Sequence, residues 1–201
     1  MADAAADSHV ADEDVLRAQW YSLLGHLLAG SPDQGGLDSL AALSGDETEF
    51  GQAVGALAQA AAATTPDALA QEYFDLMIGV GKGELLPFGS YYQSGFLYEK
   101  PLARLRGDMR ELGIARAEGV KEPEDHIAAL MEMMSGLITG AFDAPTDLAT
   151  QRRFFGAHLG SWAPRFFEDL EAAEQADFYK SVGRIGRLFV IIEAEAFEMV
   201  A

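Results

Sequence analysis

From Val15 to Phe197 the large apolar residues of this chain recur three and four positions apart and almost nowhere alternate, which restricts the backbone to helices packed on helices. Val15, Leu16, Trp20, Tyr21, Leu23, Leu24, Leu27 and Leu28 trace a first helix that Gly30-Ser31-Pro32 stops. An alanine-rich stretch from Glu47 to Ala63 predicts a second. Thr65-Pro66-Asp67 reads as N-cap, first helical position and dipole-facing acid of a helix ending near Ile78. Leu102, Leu105, Met109 and Leu112 predict another, closed by Gly113. Ile127, Leu130, Met131, Met134, Leu137 and Ile138 form one core-facing stripe, which Asp143 to Pro145 ends. Phe154, Phe155, His158, Leu159 and Trp162 share one side of the next helix, interrupted or kinked by Pro164 before Phe166, Phe167 and Leu170 resume. The last helix carries Phe178, Val182, Ile185, Phe189, Ile192 and Phe197, apolar on enough sides to be central. The expected class is all-α, a single compact multi-helix domain over residues 12–201 behind a flexible tail at 1–11.

Composition narrows the function classes. A chain of 201 residues that is 49% hydrophobic and holds 12 Phe can bury a sizeable core, which excludes general disorder. The absence of cysteine removes disulfides, thiolate catalysis and thiolate metal ligation. The longest strongly apolar run, Leu188 to Ile192, falls far short of the roughly 20 residues that span a bilayer. Met1 to Ser8 has neither the basic nor the apolar region of a secretory signal, so a cytoplasmic protein without stable membrane insertion is expected. A net charge of −18 repels nucleic-acid phosphates and favours a basic partner.

Two segments break the helical pattern. Gly79 to Pro101 reads as a long loop with a short helix inside it, rich in Tyr91, Tyr92, Phe96 and Tyr98 beside Pro87 and Phe88, an aromatic surface suited to a peptide. Its Gly79-Val80-Gly81-Lys82-Gly83 lacks the spacing of a phosphate loop, because Leu76 stands where the first glycine belongs and Gly83 follows the lysine. Lys121-Glu122-Pro123-Glu124-Asp125-His126-Ile127 reads as a helix start, with Pro123 at the first position, Glu124 and Asp125 against the dipole, and His126 in surplus. No His-Glu-x-x-His or Glu-x-x-His pattern occurs, so neither a metal nor another cofactor is expected. Serines lie in no nucleophile elbow, and His158 reads as a packed core histidine. Asp125 beside His126 is a candidate acid/base pair, although neighbours on a helix diverge by about 100°.

The order Tyr73-Phe74-Asp75-Leu76-Met77, Gly79-Val80-Gly81, Leu86-Pro87-Phe88-Gly89-Ser90-Tyr91-Tyr92, Pro101-Leu102, Leu105-Arg106, Gly113 and Glu122-Pro123-Glu124-Asp125-His126-Ile127 resembles the TorD/DmsD family of dedicated chaperones for molybdenum-cofactor oxidoreductases. Phe154-Phe155, His158-Leu159, Trp162, Phe178-Tyr179 and Glu193 extend the likeness through the C-terminal half. The resemblance implies a non-enzymatic, cytoplasmic, all-helical protein that binds the twin-arginine signal peptide of an apo-molybdoenzyme, assists cofactor insertion and delays export until folding. Carried over, the peptide-binding residues are Leu86, Pro87, Phe88, Tyr92, Glu122, Pro123, Asp125 and His126. Met77 stands where the family often has an aromatic, and Phe88 where Tyr or Trp is frequent, so a hydrogen bond from that position is lost. A monomer and a domain-swapped dimer are both compatible with the pattern. The competing reading is a small helical nucleotide-dependent switch or enzyme using Asp125 and His126.

Overall fold

The computed structural model describes residues 11–116, 119 and 122–199; the proposed tail, apart from Ala11, lies outside them. Among the described residues the regular structure is helical: α1 (Asp12–Ala29), α2 (Gln34–Ala41), α3 (Glu49–Ala63), α4 (Pro66–Tyr73), a π-helical turn (Phe74–Ile78), α5 (Gly89–Ser94), α6 (Lys100–Glu111), α7 (Ile127–Thr139), α8 (Leu148–His158), α9 (Ala163–Ala172) and α10 (Phe178–Met199). No helix among them is long and apolar enough to cross a membrane. The helices pack chiefly in the pairs α1 with α7, α9 and α3 with α10, and α2 with α3.

Local chemistry sets most boundaries. Thr48, Thr65 and Asp147 cap α3, α4 and α8 by accepting from the N–H groups of Gly51, Ala68 and Thr150. Pro164 sits in the first turn of α9, so it separates two helices rather than kinking one. Three expectations are corrected. Gln34–Ala41 is a helix the periodicity misses, started by Asp33 accepting from Gly36 and held by burial of Leu37 and Leu40. α7 ends at Gly140 (φ 81°), ahead of Asp143. The helix from Pro66 changes character at Phe74, where Gly79 N–H bonds to Phe74 O across five residues at 2.7 Å.

α10 is the axis of the core. It buries Phe178, Val182, Ile185, Phe189 and Phe197, and its first turn is capped across the fold: the Glu72 carboxylate accepts from the N–H groups of Asp177 (2.8 Å), Phe178 (3.2 Å) and Tyr179 (2.8 Å). Glu84 does the same for Glu174 (2.7 Å) and Gln175 (3.0 Å), so the segment around the π turn is pinned to the α9–α10 junction. Gly183 and Gly186 let α9 approach closely. A Cβ at Gly183 would stand 2.6 Å from the Glu171 nitrogen, and one at Gly186 would enter the buried Phe167 ring. Gly186→Ala should therefore destabilise by about 1–3 kcal/mol through overpacking. Gly107→Ala, where a Cβ meets nothing within 4 Å on a helix, should instead stabilise by about 0.5–1 kcal/mol. Urea midpoints of the two variants check the opposite signs.

Candidate functional site

The two irregular segments meet. Ile127 N–H donates to Pro87 O at 2.8 Å, Gly89 N–H donates to Asp125 O at 2.9 Å, and Phe88 and His126 form an isolated antiparallel bridge. Residues 86–90 thus form a strap across the start of α7. This contact moves the helix start. His126, held extended at φ −62°, ψ 137°, is the N-cap, and its Nδ1 accepts from Ala128 N–H at 3.2 Å. Pro123, Glu124 and Asp125 precede the helix instead of forming its first turn, which corrects the sequence expectation.

Beside the strap lies a groove of about 860 Å³. Ser22 and Ala29 of α1 form one wall, Met77 and Ile78 of the π turn another, and Ala128, Ala129 and Met133 of α7 the floor. Phe142 closes one end by lying over Gly136, where a Cβ would come 2.5 Å from its ring. Small residues on α7 therefore keep the floor open. Pro87, Phe88, Glu122, Pro123 and His126, five of the residues carried over from the family pattern, line this groove.

The other three do not line it. Asp125 is 3% exposed, and its Oδ2 accepts from Ser90 N–H at 2.7 Å beneath the strap. Tyr92 packs against Trp162 and Phe166 and donates its hydroxyl proton to Asp169 at 3.0 Å. Leu86 is half-buried outside the lining. Tyr91, Phe96 and Tyr98 stay exposed on the α5 side, so the aromatic loop is split between core and surface.

The acids have distinct environments. Burial favours protonation of Glu124, but the Arg106 hydrogen bonds at 3.0 and 2.7 Å, with Arg116 nearby, outweigh it and hold the carboxyl below its usual range. The Glu122 carboxylate is exposed, without an ion pair or hydrogen bond among the described residues. It stands near enough to add to the burial that raises the Tyr73 hydroxyl. Burial pushes His126 down to about 4 despite the fields of Glu122 and Asp125, so the ring is neutral at pH 7. With Nδ1 accepting, its proton is on Nε2.

Asp125 and His126 consequently serve different sides of the backbone, one holding the strap and the other capping α7 and meeting Phe88 edge-on at 5.1 Å. That separation gives the acid/base reading no shared hydrogen bond. His158 is buried with Nε2 2.6 Å from Asp108 Oδ2, a pairing that links α8 to α6 and lies outside the groove lining. The glycines at 79–83 serve the backbone: Gly79 adopts φ 61°, and a Cβ at Gly83 would stand 2.7 Å from the Met77 carbonyl carbon. Among the described residues no group of three or more histidines and carboxylates is placed to hold a metal ion. Residue-by-residue reading missed Met133, Glu132 and Phe142 as lining groups, because on a helix or short loop they read as core or solvated face.

Comparisons with known proteins agree with the resemblance read from the residues. The chaperone protein TorD of Vibrio parahaemolyticus is 28% identical over 125 residues, covering 58% of each chain. TorD of Photobacterium profundum is 31% identical over 119 residues, covering 55% of each. The chain thus spans under three fifths of the length of these two relatives. The crystal structure of a redox enzyme maturation protein from Archaeoglobus fulgidus shares the fold, with a TM-score of 0.57 over 88% of this chain and 94% of that one at 23% identity. The model of one family, described as nitrate reductase delta subunit, matches residues 44–168, and with that match across more than half its length the chain belongs to this family.

Proposed function

We propose that the chain is a maturation chaperone for a molybdenum-cofactor oxidoreductase, and that the groove between α1, α7 and the strap receives the twin-arginine leader of the apo-enzyme before export. The observation that carries this reading is an open apolar groove bearing an exposed carboxylate, Glu122, without a partner among the described residues, beside a neutral imidazole. A leader joins guanidinium groups to an apolar stretch, and these features complement both parts. Relatives named as chaperones support the class. The net charge of −18 supplies long-range attraction for a basic segment, acting mainly on the association rate. Holding the leader while cofactor is inserted, and then releasing it, suits a groove that is walled but open.

The test is calorimetric titration with a synthetic leader carrying Arg-Arg ahead of an apolar stretch, compared with its Lys-Lys variant. The Arg-Arg peptide should bind about tenfold tighter, because a carboxylate takes a planar guanidinium through two hydrogen bonds and an ammonium as a point charge. Equal affinity for the two peptides, or none for either, overturns the proposal. GTP titrated in parallel tests the nucleotide-dependent alternative.

A further inference from the structure

We infer that Glu132 is a second guanidinium acceptor in the groove, so that the site reads a pair of cations. The inference rests on the leader-binding reading and adds a specificity-determining residue to it. Of the acids around the groove, Glu124 is taken by Arg106 and Arg116, and Asp125 lies under the strap. Glu122 and Glu132 are exposed, line the groove, and have side chains with no ion pair or hydrogen bond among the described residues.

The position of Glu132 follows from how closely α1 and α7 pack. Gly25 leaves room for the glutamate stem: a Cβ there would stand 3.1 Å from Glu132 Cγ. The stem is therefore supported against α1 while the carboxylate is carried to the groove beside Ala128, Ala129 and Met133. Glu132 follows the N-cap His126 by six residues, about 9 Å along the helix axis, whereas Glu122 precedes it. The two acids therefore flank the N-cap in chain order, ten residues apart, within the lining of one groove.

The spacing matters because of the ligand's own geometry. Successive side chains of an extended peptide leave on opposite faces, so two adjacent arginines direct their guanidiniums apart and one carboxylate cannot meet both. Two separated acids can. Arg116, the arginine among the lining residues, donates to the Glu122 carbonyl at 2.8 Å and lies 3.8 Å from Glu124, and it forms neither a hydrogen bond nor an ion pair with Glu132. An incoming guanidinium meets at Glu132 a charge that no described residue neutralises, set in apolar surroundings that strengthen the pair once the peptide covers them.

The experiment titrates the wild-type chain, Glu132→Gln and Glu195→Gln with four leader peptides that share one apolar stretch and carry Arg-Arg, Arg-Gln, Gln-Arg or Gln-Gln. Glu195 is exposed on α10 away from the groove lining, so its variant controls for the change in net charge. Glu132→Gln should weaken Arg-Arg binding about five- to tenfold. The loss should vanish for whichever single-arginine peptide lacks its partner, and Glu195→Gln should change affinity less than twofold. If Glu132→Gln matches Glu195→Gln, or weakens all four peptides alike, while the wild type still prefers Arg-Arg to Gln-Gln, the role of Glu132 is wrong and the leader reading stands. A wild type with no preference for Arg-Arg over Gln-Gln overturns both.

Discussion

Glu193→Ala is expected to cost about 3–5 kcal/mol of folding stability, the loss that follows when one partner of a buried ion pair is removed. The Glu193 side chain, in the C-terminal half of α10, is 3% exposed and that of Arg17 on α1 is 20% exposed. Arg17 meets the carboxylate with two parallel hydrogen bonds, Nε to Oε1 and Nη2 to Oε2, each 2.8 Å. Tyr21 donates its hydroxyl proton to Oε2 at 2.9 Å. Arg17 Nη1 also donates to Asp14 at 2.6 Å and Gln151 at 3.2 Å, and Gln151 is in turn anchored on Thr146 O at 2.9 Å. One guanidinium thereby ties α1, α8 and α10. Alanine at 193 would strand the Arg17 charge and the Tyr21 hydroxyl together, which is why the cost exceeds that of an ordinary hydrogen bond. The double variant Arg17→Met, Glu193→Leu removes both charges and should recover much of the loss. Urea unfolding with an unchanged m-value is the measurement. A loss under 1 kcal/mol for Glu193→Ala would show that the pair contributes little.

The sequence already contained the structural half of this network, since Glu193 falls in the family-like pattern, but nothing local paired it with Arg17. The same division runs through the fold. Boundaries set by neighbouring residues were legible: Gly30-Ser31-Pro32 does end α1, Thr65-Pro66-Asp67 does open α4, and Gly113 takes φ 69° after α6. Elements that depend on distant partners were not. α2 carries Gly35 and Gly36, poor helix formers, and forms because Leu37 and Leu40 are buried where it packs on α3. The helix start at Ile127 is not legible locally, because Pro123-Glu124-Asp125 satisfies the local rules for a first turn. The bridge to Phe88, which keeps His126 extended, is made by residues 38 positions away. Glu132 carries no signal in the sequence, because an acid on an amphipathic helix reads as solvated face whether or not a groove lies beside it.

Asp125→Ala and Asp125→Asn should separate two roles that the sequence could not distinguish. If Asp125 met an arginine of the leader directly, both substitutions would remove the charge and weaken binding alike. The structure instead puts its carboxyl group under the strap, accepting from Ser90 N–H at 2.7 Å, with Oδ1 and the Ser90 hydroxyl buried and unpaired among the described residues. Asparagine keeps an acceptor oxygen of the same reach, so the strap should stay docked and Arg-Arg leader affinity should stay within about threefold of wild type. Alanine leaves the Ser90 N–H unsatisfied in a buried position at a cost of about 1–3 kcal/mol. It also removes the side-chain attachment of the strap, leaving Pro87 and Phe88 of the groove lining held by the two backbone bonds alone. On the proposed function, leader affinity should then fall at least tenfold, because the peptide would have to order a wall that is preformed in the wild type. Calorimetry on the two variants, with urea unfolding of each, reads both consequences. Equal losses of affinity for alanine and asparagine, with stability unchanged in both, would return Asp125 to the role of direct contact and leave Ser90 to hold the strap by other means.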